Sequence, residues 1–361
     1  MFFMKDKKKT VLIIHIVSLL IAGCSQDIQL ERKAENENIF YVENAEKIDE
    51  SKVTYYYYDR LQGTEKELYC ILYNNIMDEK QTFQLPEYTD YDVVLRIFTY
   101  VINDHPDIFW ISGYELTLEK NIMTLVAIET LKNNSLEQLI KQCDQYRSVT
   151  DELVEKAEDE YEISKILYEY LIDNCTYGKT ENDQNILSVV IDRESLCAGL
   201  SKAYQYLLQS YGIESVVITG ITNENIPHMW NLVKIDGKYY YTDVTYGNTQ
   251  SREEYNYEYF NVTSDQISSI YRFNAGQILV KCNSTDANYY QREGNLYTSM
   301  DMAKLKEQFT KGLPIQIKCS DETLYLDMIQ YLINERGIYD FIENETVNYE
   351  TDDMSLLIKF N

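Results

Sequence analysis

Three residues that together could form an activated cysteine nucleophile occur in one short stretch of the chain: Cys197, His228 and Asp243. A thiolate attacks a carbonyl carbon, a histidine transfers the proton, and a carboxylate fixes the tautomer of that histidine. This combination suits covalent acyl transfer. Taken alone, Cys197 is more typical of a buried structural cysteine or a disulfide partner, because free cysteine is among the most buried residue types. The elements around the three residues therefore have to be considered.

Cys197 stands at the start of a predicted helix with one buried face. Ser195 is the expected N-cap, which places Cys197 in the first helical turn. Unpaired N–H groups and the positive end of the helix dipole favour a thiolate there, and they could also hold a developing oxyanion. Ala198 and Gly199 are small and leave room for a substrate or another backbone. Apolar residues recur at three- and four-residue spacing before Gly212 ends the pattern: Leu196, Leu200, Ala203, Tyr204, Leu207, Leu208 and Tyr211.

A predicted β-hairpin brings the histidine and the carboxylate together. The segments on both sides of Asp236-Gly237 are rich in β-forming residues, and this dipeptide favours a two-residue turn. With that turn, Trp230 faces Asp243 across the hairpin. His228 then lies on the same face as Asp243 and diagonal to it, about 7 to 8 Å away between backbones. A hydrogen bond between the two side chains is expected, whereas a one-residue bulge would put them on opposite faces.

Helix and hairpin together resemble the core of the transglutaminase-like superfamily. The resemblance covers about residues 151–250, and the flanks resemble clostridial-type transglutaminase-domain lipoproteins. It implies a papain-like cysteine fold of the α+β class, in which a nucleophile helix packs on an antiparallel sheet between small α/β accessory units. Cys197 would be the nucleophile, His228 the base and acid, and Asp243 the orienting residue. The matching segments are Cys197-Ala198-Gly199, Tyr211-Gly212-Ile213-Glu214, His228-Met229-Trp230-Asn231, Asp236-Gly237-Lys238-Tyr239-Tyr240 and Thr242-Asp243-Val244-Thr245.

The chain departs from the family pattern at two places. Family cores often carry Pro and Trp after the aspartate, where this chain has Val244, Thr245 and Tyr246. The side chain that completes the oxyanion hole is not evident either. Tyr177 lies upstream at a suitable place, but in a chain with 34 tyrosines a structural role for Tyr177 is the alternative.

The N-terminal residues predict export and lipid anchoring. Lysines at positions 5 and 7–9 precede an apolar run from Val11 to Ala22, which is short for a membrane span and typical of a secretory signal. The run ends in Ile21-Ala22-Gly23-Cys24, so we expect Cys24 to be the lipidated first residue of the mature protein. A simple transmembrane anchor is the alternative. Either way, the folded part is expected on the extracellular face of the cell membrane.

The net charge and the cysteine content limit which partners and cofactors the protein is expected to bind. The net charge is −26, and without the first 23 residues, which carry +3, it is about −29. A surface this acidic predicts no nucleic-acid binding and favours basic or neutral peptides, although the charge could also serve solubility alone. Six cysteines beyond Cys24 permit disulfides in an exported protein. No cysteine pair has zinc-site spacing and the chain has only three histidines, so neither a metal nor an organic cofactor is expected.

Helical and strand patterns predict the organisation of the remaining chain. Helices are expected near 62–77 and 88–104, a hairpin through 111–130, and an amphipathic helix around Ile163 to Leu171. His105 precedes a proline and is interpreted as turn structure. Further elements are a helix at 301–310 capped by Asp301, a strand at 314–318 and a helix at 321–336. The predicted units are a signal peptide (1–23), a polar tether (24–50), an N-terminal accessory domain (51–148), the catalytic core (149–260) and a C-terminal accessory domain (261–361).

These observations predict an extracellular cysteine acyl-transfer enzyme. Hydrolysis of peptide or amide bonds through a thioester is the expected reaction, because water is the default acceptor unless a site excludes it. Its substrate would be a peptide or protein at the cell surface. A cross-linking transglutaminase uses the same residues and is one alternative. An inactive binding or scaffold protein with the same fold is the other.

Overall fold

The computed structural model describes residues 11–15, 55–86, 90–117, 121–247, 255–343, 346–353 and 355–361. The chain divides into two compact units, Met1–Ser284 and Thr285–Asn361. The expected lipidation site Cys24, the tether and most of the expected signal lie outside the described residues. Within the described ranges, no helix combines the length and the apolar character that a bilayer crossing requires.

The first part of Met1–Ser284 contains two helices and a four-stranded sheet. The helices are α1 (Gly63–Met77) and α2 (Tyr91–Asp104), and both confirm the helices predicted from the sequence. The strands are β1 (Val11–His15), β2 (Thr82–Gln84), β3 (Ile111–Thr117) and β4 (Ile122–Ala127), in the order β1-β3-β4-β2. The β3–β4 pair is the predicted hairpin. Because β1 comes from the apolar run before Cys24, cleavage of a signal there would remove it from the sheet.

The second part of this unit holds a helix packed on an antiparallel sheet, which confirms the predicted α+β class. Its helices are α3 (Leu136–Val154), α4 (Glu160–Asn174) and α5 (Cys197–Ser210), followed by the short α6 (Val244–Gly247) and α7 (Ser264–Ile267). The sheet has the order β10-β7-β8-β9, with β7 (Ser215–Thr222), β8 (Pro227–Ile235), β9 (Lys238–Thr242) and β10 (Tyr271–Phe273). A parallel pair, β5 (Thr176–Tyr177) and β6 (Glu194–Ser195), precedes α5.

The β8–β9 hairpin has the predicted register. Ile235 pairs with Lys238, and the pairing continues without a bulge as far as Asn231 and Thr242. Asp236 and Gly237 both have positive φ, at 49° and 76°. A primed two-residue turn needs positive φ at both central positions, so this dipeptide is what sets the register.

Buried tyrosines account for much of the core of Met1–Ser284. Tyr56, Tyr57 and Tyr58 are at most 2% exposed and therefore pack in the core. The buried Asp104 fixes the last two, because its carboxylate accepts hydrogen bonds from the backbone N–H groups of Tyr57 and Tyr58 at 3.0 Å. His105 is the C-cap of α2 and is 2% exposed, in line with the structural role predicted for it.

The unit Thr285–Asn361 is a small α/β unit with its own apolar core. Its helices are α8 (Tyr289–Arg292), α9 (Met302–Thr310) and α10 (Glu322–Ile329), and the sheet order is β11-β12-β14-β13. Asp301 caps α9 as predicted, by accepting from two backbone N–H groups at 3.0 and 3.1 Å. The strands are β11 (Leu296–Tyr297), β12 (Ile315–Cys319), β13 (Tyr349–Asp352) and β14 (Leu357–Phe360).

The division after Ser284 falls later than the boundary expected at 260/261. The reason is β10, which pairs antiparallel with β7 and thereby makes residues beyond 261 part of the core sheet. The segments 51–148 and 149–260 fall in one compact unit.

Candidate active site

Cys197 is the first residue of α5, but the predicted cap is wrong. Leu196 occupies the N-cap position and supplies no side-chain hydrogen bond. Ser195 lies in β6, where its hydroxyl is 2.7 Å from that of Ser188 and donates to the Leu196 carbonyl at 3.0 Å. The N–H groups of Cys197 and Ala198 find no partner in the part of the chain that the structure describes. They are free to face a developing oxyanion.

The small residue Gly199 serves close packing within the protein. A Cβ at this position would lie 2.2 Å from the hydroxyl oxygens of both Ser188 and Ser195, and 2.9 Å from the Asn185 carbonyl. Of the two expected uses of this small residue, the structure shows the close approach of another backbone, because the Asn185 carbonyl and two serine side chains fill the space that a substrate would need. Its N–H donates to the Asp183 carbonyl at 3.1 Å, which fixes the start of α5 against this loop.

His228 and Asp243 form the predicted side-chain hydrogen bond. His228 Nε2 is 2.7 Å from Asp243 Oδ2, and the histidine side chain is 10% exposed while the carboxylate is fully buried. Asp243 accepts two further hydrogen bonds. Tyr271 donates its hydroxyl to Oδ2 at 2.5 Å, and the Tyr246 backbone N–H donates to Oδ1 at 3.1 Å. The carboxylate is thus held on both oxygens, and His228 Nδ1 remains for another partner.

Electrostatics favour a charged His228–Asp243 pair. Burial lowers the pKa of His228, but the Asp243 carboxylate and hydrogen bonds with Asp243 and Cys197 outweigh it and raise this pKa to about 10. Burial raises the pKa of Asp243, yet the nearby imidazolium and its hydrogen bonds bring it below the ordinary value. The imidazole therefore interacts with both the carboxylate and the Cys197 thiol.

Two side-chain hydrogen bonds fix α5, which carries Cys197, on β8, which carries His228. Ser201 of α5 donates its hydroxyl to the Met229 carbonyl at 3.0 Å. Asn231 of β8 donates its side-chain amide to the Ser201 carbonyl at 2.9 Å. Cys197 and Ala198 also pack with Val217 and Met229 in a buried apolar cluster. Sequence reasoning missed Ser201 and Asn231 as the residues whose side chains join α5 to β8.

Tyr271 is the most consequential residue that sequence reasoning missed. It lies on β10, 28 residues beyond the carboxylate to which it donates. Its ring centroid is 4.8 Å from that of His228 and 4.7 Å from that of Trp230. Burial and the charge of Asp243 raise the pKa of Tyr271, so it acts as a hydrogen-bond donor. No sequence signal distinguishes it among 34 tyrosines.

Tyr177 lies at the rim of the site. It is 52% exposed, and β5 places it opposite Ser195, two residues before Cys197. Burial of part of the ring, followed by the charges of Cys197 and Asp243, raises the pKa of Tyr177. This residue is therefore close enough to Cys197 to interact with it electrostatically.

The six cysteines that the structure describes are all buried, and none of them is part of a disulfide: Cys70, Cys143, Cys175, Cys197, Cys282 and Cys319. Burial raises the pKa of Cys143, Cys282 and Cys319 to about 12 in each case. In the same ranges, no cluster of His, Cys, Asp and Glu side chains has the arrangement of a metal site.

Comparisons with known proteins bear on the central segment. A family model described as the transglutaminase-like superfamily matches residues 147–244. No curated protein matches the chain significantly. One similar solved structure is a TGase that is 15% identical, with a TM-score of 0.29; the alignment covers 49% of this chain and 53% of that one.

Two further solved structures are bacterial. A candidate cysteine protease from Cytophaga hutchinsonii is 14% identical with a TM-score of 0.26, and 34% of this chain aligns with 50% of that one. A candidate protease from Parabacteroides distasonis is 14% identical with a TM-score of 0.24, over 35% and 28% of the two chains. The chain thus spans about half the length of the first two and less of the third. The family match confirms the resemblance read from the motifs: residues 147–244 carry the core of the transglutaminase-like superfamily.

Proposed function

We propose that the central domain catalyses acyl transfer through a thioester on Cys197, and that its main reaction is hydrolysis of peptide or amide bonds. One observation carries the proposal. His228 is hydrogen-bonded to the buried carboxylate of Asp243 through Nε2, and the Cys197 thiol contributes to the raised pKa of the same imidazole. A nucleophile, a base and an orienting group that act on one another are the arrangement that thiol catalysis needs.

The reaction begins with attack of the Cys197 thiolate on the carbonyl carbon, which forms a C–S bond and a tetrahedral oxyanion. The free N–H groups of Cys197 and Ala198 face this oxyanion in the proposal. His228 then protonates the departing amine as the C–N bond breaks. In the second half, His228 takes a proton from water, the resulting hydroxide attacks the thioester, and the C–S bond breaks to release the acid. Asp243 stays ionised throughout and stabilises the imidazolium.

A peptide or protein with basic or neutral character is the proposed substrate. The chain is strongly acidic, with 59 acidic and 33 basic side chains, so an anionic substrate would be repelled. The half-exposed Tyr177 offers an aromatic surface beside the nucleophile, suited to the apolar part of a side chain. Hydrolysis requires only that water reach the thioester, whereas transamidation requires room for a second substrate amine.

Thiol alkylation tests the activated nucleophile. At neutral pH, iodoacetamide is expected to label Cys197 and to spare Cys143, Cys282 and Cys319, whose raised pKa values keep them protonated. Labelling of Cys197 should be lost in His228→Ala. Peptide mapping after alkylation gives the site. Slow labelling of Cys197 that is indifferent to His228→Ala would contradict the enzyme and favour a binding protein with the same fold.

A fluorescent primary amine separates hydrolysis from cross-linking. We expect no incorporation of the amine into glutamine-containing proteins, together with release of ammonia or of peptide fragments. Cys197→Ser serves as the control and should abolish both products. Incorporation that exceeds hydrolysis would identify the protein as a cross-linking transglutaminase.

We also propose that the protein is anchored to the outer face of the cell membrane by lipid on Cys24. The support is the sequence alone: a basic start, an apolar run of 12 residues and the Ile21-Ala22-Gly23-Cys24 segment. Metabolic labelling with an alkyne fatty acid is expected to modify the wild type and not Cys24→Ser. Retention of the label in Cys24→Ser would refute this anchoring.

A further inference from the structure

A small, partly open cavity lies outside the candidate active site. Its walls are mostly apolar and come from the α2–β3 connection, with Ile102, Ile108 and Phe109 among them. Ser112, Asn185 and Lys202 add polar groups. None of the three proposed catalytic residues lines it. An apolar pocket with a few polar groups is typical of a small-molecule site.

Lys202 brings a buried positive charge to this cavity. The residue is 7% exposed, and its ammonium donates to the Gln184 carbonyl at 2.9 Å. It forms no ion pair with any carboxylate that the structure describes. An ammonium has three N–H donors, and a buried charge is costly without a counter-charge. Burial accordingly lowers the pKa of Lys202 to about 8, which still leaves it mostly protonated at neutral pH.

Two further buried polar atoms of cavity-lining residues have no hydrogen-bond partner in the described part of the chain. These are His105 Nε2 and Gln184 Oε1. His105 is 2% exposed, and burial lowers its pKa to about 3, so it is neutral. Buried polar atoms are nearly always paired in folded proteins. The ammonium without a counter-charge indicates that an anion completes this cavity, whereas Gln184 Oε1 is an acceptor and needs a donor such as water.

We propose that this cavity, the Lys202 cavity, binds a small carboxylate with an apolar body. The carboxylate of this ligand accepts a hydrogen bond from Lys202 Nζ, and its apolar part packs against Ile108 and Phe109. Lys202 is five residues beyond Cys197 on α5, which places it roughly 140° around the helix from the nucleophile. The ligand is therefore not the substrate of Cys197. It would bind the opposite side of the nucleophile helix and brace the loop that contains Gln184.

Binding is measured by isothermal titration calorimetry on the full chain with three probes. These are 3-methylbutanoate, its neutral amide 3-methylbutanamide, and N-acetylleucine as a mimic of a peptide C-terminus. We expect saturable binding of at least one carboxylate and a loss of about tenfold or more in affinity for the amide, since a charge-assisted hydrogen bond is removed. Tighter binding of N-acetylleucine would indicate a peptide end as the source, and tighter binding of 3-methylbutanoate a free acid.

Lys202→Met should weaken carboxylate binding by about tenfold or more. Lys304→Met is the matched control, because Lys304 also donates to a backbone carbonyl, that of Leu296, but lies outside the cavity. Its affinity should equal that of the wild type. The proposal is overturned if neither carboxylate binds, if amide and acid bind equally, or if Lys202→Met binds as the wild type does. The acid and amide comparison on the wild-type protein decides the matter even if Lys202→Met does not fold.

Discussion

Replacement of Asp243 by asparagine tests the electrostatic role of the buried carboxylate. Asn is nearly isosteric, so the hydrogen bonds at this position are reorganised while the space stays filled. What disappears is the negative charge 2.7 Å from His228 Nε2. That charge and its hydrogen bond are the main reasons that the pKa of His228 lies near 10 despite burial.

The expected shift in the pKa of His228 on this replacement is large. Without the carboxylate, burial dominates and should bring the pKa of His228 below its ordinary value of 6.5. A fall from about 10 to below 6.5 exceeds about 3.5 pKa units and corresponds to about 5 kcal/mol or more of lost differential stabilisation. The imidazole is then neutral at pH 7 and cannot keep a proton for the leaving amine. We expect kcat to fall by about 10² to 10⁴.

The free energy of unfolding should also change with pH as His228 titrates. A histidine whose folded pKa is raised contributes stability that is fully present below pH 6.5 and is lost as the pH rises towards 10. In the wild type, the free energy of unfolding attributable to this group therefore decreases over that alkaline range. Asp243→Asn should show little of this alkaline decrease.

The assay is ¹H–¹³C NMR of ¹³C-labelled histidine as a function of pH. The chain has only three histidines, so the His228 signal is identified by its absence in His228→Ala. Asp104→Asn is a matched control, because Asp104 is also buried and also accepts from a tyrosine hydroxyl, that of Tyr69, and from backbone N–H groups. Asp104→Asn should lower stability and leave the titration of His228 unchanged. A His228 pKa that is the same in the wild type and in Asp243→Asn would refute the reasoning.

Three further substitutions test the surroundings of the site. Tyr271→Phe removes the hydroxyl that donates to Asp243; chemical denaturation should show a loss of about 1 to 3 kcal/mol of stability, and kcat should fall about tenfold. Tyr240→Phe, the control, removes the hydroxyl of another buried tyrosine and should leave kcat unchanged. Equal losses of kcat in the two variants would contradict a positioning role for Tyr271. Gly199→Ala places a Cβ 2.2 Å from two serine hydroxyl oxygens and should lower stability by about 1 to 3 kcal/mol, so an unchanged Tm would show that the loop gives way freely. Tyr177→Phe should lower kcat/KM about 10²-fold, because a hydroxyl that contacts the oxyanion would be lost. Tm should not change, because the side chain is half-exposed. Unchanged kinetics would show that Tyr177 takes no part in the transition state.

Local patterns determined the pieces of the candidate site. The β8–β9 register follows from two adjacent residues, since Asp236 and Gly237 adopt the positive φ values that a primed turn requires. That register alone puts His228 and Asp243 on one face. The amphipathic spacing after Cys197 likewise determines a helix that begins at the nucleophile. These predictions succeeded because each depends on interactions between residues close together in the chain.

Only the tertiary structure decided how these pieces are joined and completed. Tyr271 reaches Asp243 because β10 pairs with β7, a contact between strands about fifty residues apart that no local pattern specifies. Ser195 lost its expected capping role for a similar reason: it pairs with β5, and its hydroxyl bonds to Ser188. The packing of Gly199 and the burial of Lys202 without a counter-charge depend on the same long-range arrangement. The sequence thus determined the local geometry of the candidate reactive groups, and long-range packing decided their partners.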